Sequence, residues 1–431
     1  MTLPLRRAAA YALVSTLALA APLLGRFTAA PFVVVAAFAF VVTDGPAFRL
    51  FAYPWDEKQE RLWTLLGFAL AATGLGVLVP AFDLPIGVFA AAVLAVGYGD
   101  FGRRLALEYY PVAVAGSVGF VVVSFVGTLL GQVVVAAALT PTMAFLAATA
   151  SLLSGLLREV FTERDYPYVV LTVALLCWLF TALAVSPSWT RVCVALVLTV
   201  VFGGLSYGLG AASVAGMLTG VFLGVLAVVL GGYGWFAVLV TFFSVGGLSS
   251  KFRYEEKADI GVAEENEGAR GSGNVLGNSL AALFALLGYA ASPMLDVSAA
   301  VFVFAFAGSV ATALADTLSS EIGTLYGPPR LVTTFEEVPP GTDGAVTWQG
   351  ELAGLLGAAV IAALSFVLLG LSAFGAGVVL VGGAVGMTVD SLAGATIEGR
   401  GVGNQTVNFL ATLGGAVASG LLAVAVGLAV L

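Results

Sequence analysis

Two aspartates, Asp316 and Asp390, each follow a long apolar run, and their surroundings resemble one another. The segments "ADTLSSEIG" at 315–323 and "VDSLAGATI" at 389–397 both place a hydroxyl and a leucine directly after the aspartate. A carboxylate near hydrocarbon is costly unless it is paired, hydrated or bound to a metal. We therefore predict that Asp316 and Asp390 share one site as catalytic Mg²⁺ ligands. The alternative is that each aspartate caps the segment that follows it.

Four asparagines form a second repeated pattern, within "GSGNVLGNSLAALFALLG" at 271–288 and "GVGNQTVNFLATLGGA" at 401–416. They are Asn274, Asn278, Asn404 and Asn408. The spacing of four places each pair on one helix face, at a helix start where backbone N–H groups favour an anion. Arg270 and Arg400 stand just upstream, where they could clamp phosphate oxygens. Helix capping with hydrogen bonds between helices is the structural alternative.

The stretch "VPPGTDGAVTWQGE" at 338–351 interrupts apolar sequence with turn residues. Glycines such as Gly341 could expose consecutive backbone amides to an anion. Asp343 and Glu351 could bind a metal or activate a hydroxyl. We also predict that Arg330, earlier in the same loop, contacts phosphate. A plain re-entry turn is the alternative, although it would need fewer polar groups.

Missing residue types exclude several kinds of catalysis. The chain contains no histidine, which removes Ser-His-Asp catalysis, histidine general bases and the common zinc sites. It contains no Gly-Lys dipeptide, so a Walker A loop is excluded. The segment "GYGDFG" at 97–102 matches a dinucleotide-binding pattern, but it ends an apolar span outside any βαβ context. Phosphoryl transfer stays compatible with this composition, because it depends on positioning, metal neutralisation and cationic clamps.

Membrane helices must position these groups. Of the 431 residues, 60% are hydrophobic and 10% are charged, and the mean hydropathy is +1.06. Apolar runs of about 20 residues recur along the chain, each long enough to cross a bilayer as a helix. We predict an all-α, polytopic integral membrane protein with about 15 transmembrane helices. The first two are a retained helix over 8–25 and a span over 27–43.

The charge distribution predicts the orientation of these spans. With a cytoplasmic N-terminus, all basic residues except Arg26 and Arg191 fall on the cytoplasmic side, as the positive-inside rule requires. All acidic residues except Asp83 and Asp296 fall on the same side. We therefore predict a multi-pass protein of the cell membrane with its polar site on the cytoplasmic face.

The last part of the chain, 249–431, resembles a known family. The matching segments are "EEKADIGVAEENEGARGSGNVLGNS", "ADTLSSEIG", "TTFEEVPPGTDGAVTWQGELAGLLGA" and "DSLAGATIEGRGVGNQTVN". They resemble the integral-membrane family that includes transmembrane protein 19, catalogued as domain of unknown function 92. The resemblance implies a membrane domain over 196–431. A plant member of that family is implicated as a phytyl-phosphate kinase, so the resemblance also implies phosphoryl transfer onto an isoprenyl monophosphate.

The first part, 1–195, more weakly resembles the CTP-dependent polyprenol kinases, which act on phytol and dolichol. The stretch "GYGDFGRRLALEYYPVAVAGSVG" at 97–119 is similar to that family's Gly-Asp, Gly-Arg-Arg and Gly-Ser sequence. The matching residues are Asp100, Gly102, Arg103, Arg104, Gly116 and Ser117. The resemblance implies that Asp100 and Arg103 serve nucleotide binding. The family's lysine and its paired Asp and Asn are missing, which implies an altered or degenerate kinase domain.

Together these patterns predict a membrane-embedded phosphotransferase. It would use a nucleoside triphosphate, with CTP favoured, and Mg²⁺ to phosphorylate an isoprenoid alcohol or an isoprenyl monophosphate. The expected partners are the lipid bilayer, the isoprenoid substrate and the nucleotide, and we expect no nucleic acid. The alternative is a multi-span transporter or flippase, since 54 glycines and an internal repeat are also typical of that class. A non-catalytic assembly factor is a third possibility.

Overall fold

The computed structural model describes residues 2–263 and 269–430. Within these ranges, 14 helices are long and apolar enough to cross a membrane, or 15 if one bent helix pair is a single span. The predicted all-α polytopic architecture is therefore confirmed, with a short two-stranded sheet in addition. The chain divides into two compact units, the first ending at Val194 and the second beginning at Ala195.

The first unit consists of helices and short 3₁₀ turns. Its helices are α1 (Leu3–Ser15), α2 (Ala21–Leu24), α3 (Ala30–Val41), α4 (Gly45–Phe51), α5 (Pro54–Gln59), α6 (Trp63–Phe82), α7 (Ile86–Tyr109), α8 (Ala113–Ala136), α9 (Pro141–Val160) and α10 (Tyr166–Ala182). Helix α11 (Trp189–Gly208) contains the boundary with the second unit. The first candidate span, Leu3–Phe27, includes α1, α2 and two 3₁₀ turns.

The second predicted span, 27–43, is shorter in the structure, where it corresponds to helix α3 and ends at a bend. Helices α3 and α4 meet at a bend of 112°. The bend follows from the Gly45-Pro46 dipeptide, because Gly45 adopts a φ of +81° and the proline ring cannot continue a helix from the preceding turn. Helix α3 alone, with 12 residues, is too short to cross a bilayer.

The second unit carries the C-terminal repeats. Its remaining helices are α12 (Val214–Leu226), α13 (Tyr233–Lys251), α14 (Tyr254–Asp259), α15 (Ser272–Ala291), α16 (Ala299–Gly323), α17 (Trp348–Leu368), α18 (Ala373–Thr396) and α19 (Asn404–Ala425). A π-helical turn, Ala227–Gly231, extends α12 to a full span. Between α16 and α17, strands β1 (Arg330–Leu331) and β2 (Ala345–Val346) form an antiparallel pair.

Glycines let helices α16, α18 and α19 pack closely. A Cβ added at Gly308 of α16 or at Gly382 of α18 would overlap the hydroxyl of Ser419 in α19. Ser419 is fully buried. Small residues at such positions bring helix backbones together, which is how helices associate where hydrocarbon offers no hydrophobic driving force.

Gly382→Val is expected to cost about 3 kcal/mol or more of stability, because the new side chain would collide with Ser419 in a closely packed interface. Thermal unfolding in detergent, followed by size-exclusion chromatography, measures this loss. Gly377→Val is the matched control in the same helix, since no described heavy atom lies within 4 Å of a Cβ at Gly377. Equal melting temperatures for the two variants would contradict the packing argument.

Candidate functional site

The second unit contains a polar cavity of about 220 Å³ that most of the sequence-predicted residues line. The predicted residues in its wall are Arg270, Asn274, Asn278, Asp316, Gly341, Asp343, Asp390, Asn404 and Asn408. They come from the starts of α15 and α19, the last third of α16 and α18, and the loop between α16 and α17. The two halves of the repeat therefore meet at one site.

Asp316 and Asp390 lie in direct contact. Their carboxyl groups approach closely enough to share a hydrogen bond. Among the residues described, the Oδ1 atom of Asp390 is buried and accepts no hydrogen bond. Arg270 and Glu398 are electrostatic neighbours of Asp316, and Asp343 is a neighbour of Asp390. Two carboxylates in contact repel one another, so the pair either binds a proton and carries one negative charge or has a cation beside it.

The donor set fits Mg²⁺ that also binds a substrate phosphate. Within the described ranges, no group of three or more His, Cys, Asp or Glu side chains is arranged to hold a metal ion. A closed cage made only of protein ligands is thus not present there. Mg²⁺ in nucleotide sites typically binds one or two carboxylates and completes its octahedron with water and substrate phosphates. The Asp316–Asp390 pair, with the free oxygen of Asp390, supplies that smaller set.

The asparagines lie where two helix starts converge. Gly277 in α15 packs against the first turn of α19, and a Cβ there would lie 2.8 Å from the carbonyl oxygen of Gln405. Within each pair, the side-chain amide of the second asparagine donates to the first. Asn278 donates to the backbone carbonyl oxygen of Asn274 at 3.0 Å, and Asn408 donates to the side-chain oxygen of Asn404 at 3.3 Å. First-turn residues of both helices, Asn274 and Asn404, thus line one cavity, and the positive end of a helix favours an anion.

The turn at Gly341–Gly344 is seated against α18. A Cβ at Gly344, whose φ is +74°, would overlap the backbone of α18 at Ser391 and Ala395, so only glycine permits this approach. The Val332 amide donates to the Gly344 carbonyl at 3.1 Å and continues the β1–β2 hairpin. The hairpin therefore brings Asp343 to the cavity wall beside Asp390.

Two acids in the cavity wall, Glu398 and Glu321, were not predicted from the sequence. Burial raises the pKa of Glu398, and the nearby charges of Asp343 and Asp390 raise it further, while a hydrogen bond from Asn404 opposes them. Glu398 lies two residues before Arg400 and directly upstream of the repeated Gly-x-Gly-Asn motif, so its position beside that motif was a signal in the sequence. Glu321 had no comparable signal.

Lys257 holds Glu321 in place. The ammonium group is buried and donates to the Glu321 carboxylate at 2.6 Å. It also donates to the carbonyl oxygens of Ser249 and Ser250 at 2.9 and 3.1 Å. All three N–H bonds of the lysine are therefore used. This ion pair connects α14 to α16 and stabilises the rim of the cavity.

Lys257→Met is expected to lower the free energy of unfolding by about 3–5 kcal/mol, because Glu321 would stay buried without its counter-charge. Adding Glu321→Gln should recover most of the loss. Thermal unfolding of both variants in detergent measures the difference. If the single variant is as stable as the double variant, the pair does not have this structural role.

Three predicted residues of the second unit lie elsewhere, as far as the described residues define the cavity. Arg330 in β1 pairs with Glu337 at 2.6 Å and donates to a carbonyl oxygen of the same loop. Arg400 is exposed in the turn before α19, and Glu351 is half-buried in the first turn of α17. Within the part of the chain that the structure describes, Arg270 is the basic residue that lines the cavity.

The first unit holds its predicted residues in ion pairs of its own. Asp100 in α7 is fully buried, accepts a hydrogen bond from the Tyr53 hydroxyl at 2.9 Å and lies 3.6 Å from Arg158. Arg103 pairs with Glu159 at 2.8 Å. These contacts connect α7 with α9 and the loop before α5. The role in nucleotide binding implied for Asp100 and Arg103 stays a prediction.

The family model that matches this chain lies within the second unit. Residues 197–420 match the family model described as integral membrane protein DUF92. An uncharacterized membrane protein of Methanocaldococcus jannaschii is 36% identical over 47% of this chain and 82% of its own length. One from Synechocystis is 34% identical over 47% of this chain and 80% of its own length.

A plant protein is also similar to part of this chain. The chloroplastic protein VTE6 of Arabidopsis thaliana is 34% identical over 42% of this chain, which spans 54% of that protein's length. No solved structure matches the chain. The family model and the two prokaryotic relatives confirm the predicted resemblance: the chain belongs to the DUF92 family of integral membrane proteins.

Proposed function

We propose that this protein transfers a phosphoryl group from a nucleoside triphosphate, with CTP favoured, to an isoprenoid alcohol or an isoprenyl monophosphate. The transfer would take place in the polar cavity of the second unit, at the cytoplasmic face of the membrane. The observation that supports it most is the contact between Asp316 and Asp390 in a cavity that two helix starts and Arg270 also line.

The cavity suits phosphate groups. Anionic oxygens would bind the first-turn amides of α15 and α19 and the guanidinium of Arg270, which can donate two parallel hydrogen bonds to a phosphate. Its volume of about 220 Å³ lies below the range of about 300–1,000 Å³ typical of pockets that enclose drug-sized ligands. It would therefore enclose the reacting phosphates, with the base and the lipid chain held outside it.

Asp316 and Asp390 would hold Mg²⁺, which would neutralise the negative charge of the triphosphate. Residues of the protein would position the reacting groups. The helix starts and Arg270 would fix the phosphates in line, and Glu321, held by Lys257, would keep one wall of the cavity in position. Positioning and charge neutralisation supply most of the catalysis in phosphoryl transfer, so no histidine is needed.

The reaction forms one P–O bond and breaks another. The acceptor oxygen attacks the γ-phosphorus. The bond between that phosphorus and the oxygen that bridges it to the β-phosphorus breaks, which releases the nucleoside diphosphate. A monophosphate acceptor already carries an anionic oxygen and needs no base. An alcohol acceptor has to lose a proton, and Asp343 in the cavity wall is the group that we assign to accept it.

Purified protein in detergent, given Mg²⁺ and γ-labelled CTP with geranylgeraniol or its monophosphate, tests the proposal. Labelled lipid phosphate is the expected product, and ATP, GTP and UTP in parallel reactions establish the nucleotide. No labelled lipid with any nucleotide would overturn the proposal. If Asp316→Asn at the same time abolished uptake of the lipid into vesicles, the transporter would replace it.

A further inference from the structure

The second unit has another cavity, larger and mostly apolar, between α11, α12 and α13. Its volume is about 430 Å³, and all the residues in its wall belong to 199–275. Phe202, Leu239 and Phe243 supply aromatic and aliphatic surface, and Gly220 supplies space. We call it the apolar groove.

Among the described residues, the apolar groove and the polar cavity share one, Arg270. Its backbone is fixed on both sides: the Arg270 amide donates to the Ala211 carbonyl at 3.0 Å, and the Ser213 amide donates to the Arg270 carbonyl at 3.1 Å. Its guanidinium lies 5.4 Å from the ring centre of Phe242. Arg270 is thus a buried, positioned cation at the junction of the two spaces.

The lining of the groove complements a lipid with an anionic head group. Lys251 and Arg270 supply its positive charge, while the rest of the wall is mainly aliphatic, aromatic or glycine. Phe202 and Leu205 of α11 line the groove and are 40% and 55% exposed, so the groove opens at the side of that helix. In a membrane-spanning helix, that side faces hydrocarbon. A lipid could therefore enter laterally from the bilayer.

We propose that the apolar groove binds the hydrocarbon chain of the isoprenoid acceptor, with the polar head of that lipid at Arg270. This inference rests on the proposed function and adds the site that recognises the chain. Because Arg270 lines both spaces, it would lie where the hydrocarbon chain of the acceptor ends and its polar head begins. Burial of the chain would then favour long acceptors, since binding improves with each apolar group removed from water.

Gly220 offers a test that spares the fold. No described heavy atom lies within 4 Å of a Cβ at Gly220, so Gly220→Phe would extend a ring into the groove without a collision at the backbone. Gly204→Phe is the matched control: Gly204 lies in α11, is exposed, has the same free space and is absent from the described groove lining.

Equilibrium binding of labelled geranylgeranyl phosphate and dimethylallyl phosphate to both variants in nanodiscs gives the primary readout. We expect Gly220→Phe to shift the ratio of the two affinities at least about tenfold against the long chain, and Gly204→Phe to leave it as in the parent protein. An unchanged ratio in Gly220→Phe would overturn the proposal. So would equal competition by phosphatidic acid, which would make the groove a site for bulk lipid.

Binding separates this proposal from the proposed function. If the parent protein binds the long-chain phosphate in the groove but no nucleotide labels it, the kinase proposal fails and the groove stands. If the protein forms labelled product and Gly220→Phe binds and uses both chain lengths as the parent does, the groove proposal fails and the kinase stands.

Discussion

Asp316→Asn is expected to reduce phosphoryl transfer by about a hundred- to a thousandfold, the loss that follows removal of one group that stabilises charge in a transition state. The variant should unfold at the same temperature as the parent protein or higher. The reason is that asparagine keeps the shape of the side chain and removes one of two negative charges in contact. A residue that only caps a helix would show the opposite combination, with stability lost and activity kept.

The steady-state rate with Mg²⁺-CTP and geranylgeranyl phosphate, together with thermal unfolding, measures both effects. Asp390→Asn should behave in the same way, because it is the other member of the pair. Asp296→Asn is the control, since Asp296 is an exposed carboxylate of the same unit. Activity above half of the parent value in Asp316→Asn would contradict the assignment of the pair.

Arg270→Gln is expected to lower kcat/KM by about a hundredfold, because a buried guanidinium that binds phosphate in two parallel hydrogen bonds is replaced by a neutral amide. Arg270→Lys should recover only part of the activity, since an ammonium keeps the charge but not the planar fork. Both variants also lose the guanidinium that lies over the ring of Phe242, so their thermal unfolding is measured alongside.

Other arginines of the second unit serve as comparisons for the Arg270 variants. Arg253→Gln is a control, because Arg253 pairs with Glu256 on the exposed side of α14. Sequence patterns predicted phosphate binding for Arg330 and Arg400 as well. The structure pairs Arg330 with Glu337 and leaves Arg400 exposed, so their glutamine variants should lose at least about tenfold less activity than Arg270→Gln. Equal losses in all three would mean that the arginines act together.

The sequence alone determined the class of the protein and much of the polar site. Hydropathy is a local property, so runs of about 20 apolar residues were enough to predict membrane helices. The repeat was informative for another reason: two segments with the same pattern are expected to fold alike, and in the structure the ends of α16 and α18 meet at one cavity. For that reason the repeated pattern was sufficient to pair Asp316 with Asp390. The turn at Asp343 was found from its prolines and glycines.

Only the tertiary structure decided which side chains from distant parts of the chain complete the site. Lys257 reaches Glu321 across 64 positions of sequence, and Arg270 rather than Arg330 lines the cavity. The apolar groove is formed by three helices whose residues, read singly, look like ordinary membrane-facing sequence. The physical reason is that such contacts depend on how helices pack and on where glycine lets them approach, and neither leaves a local pattern.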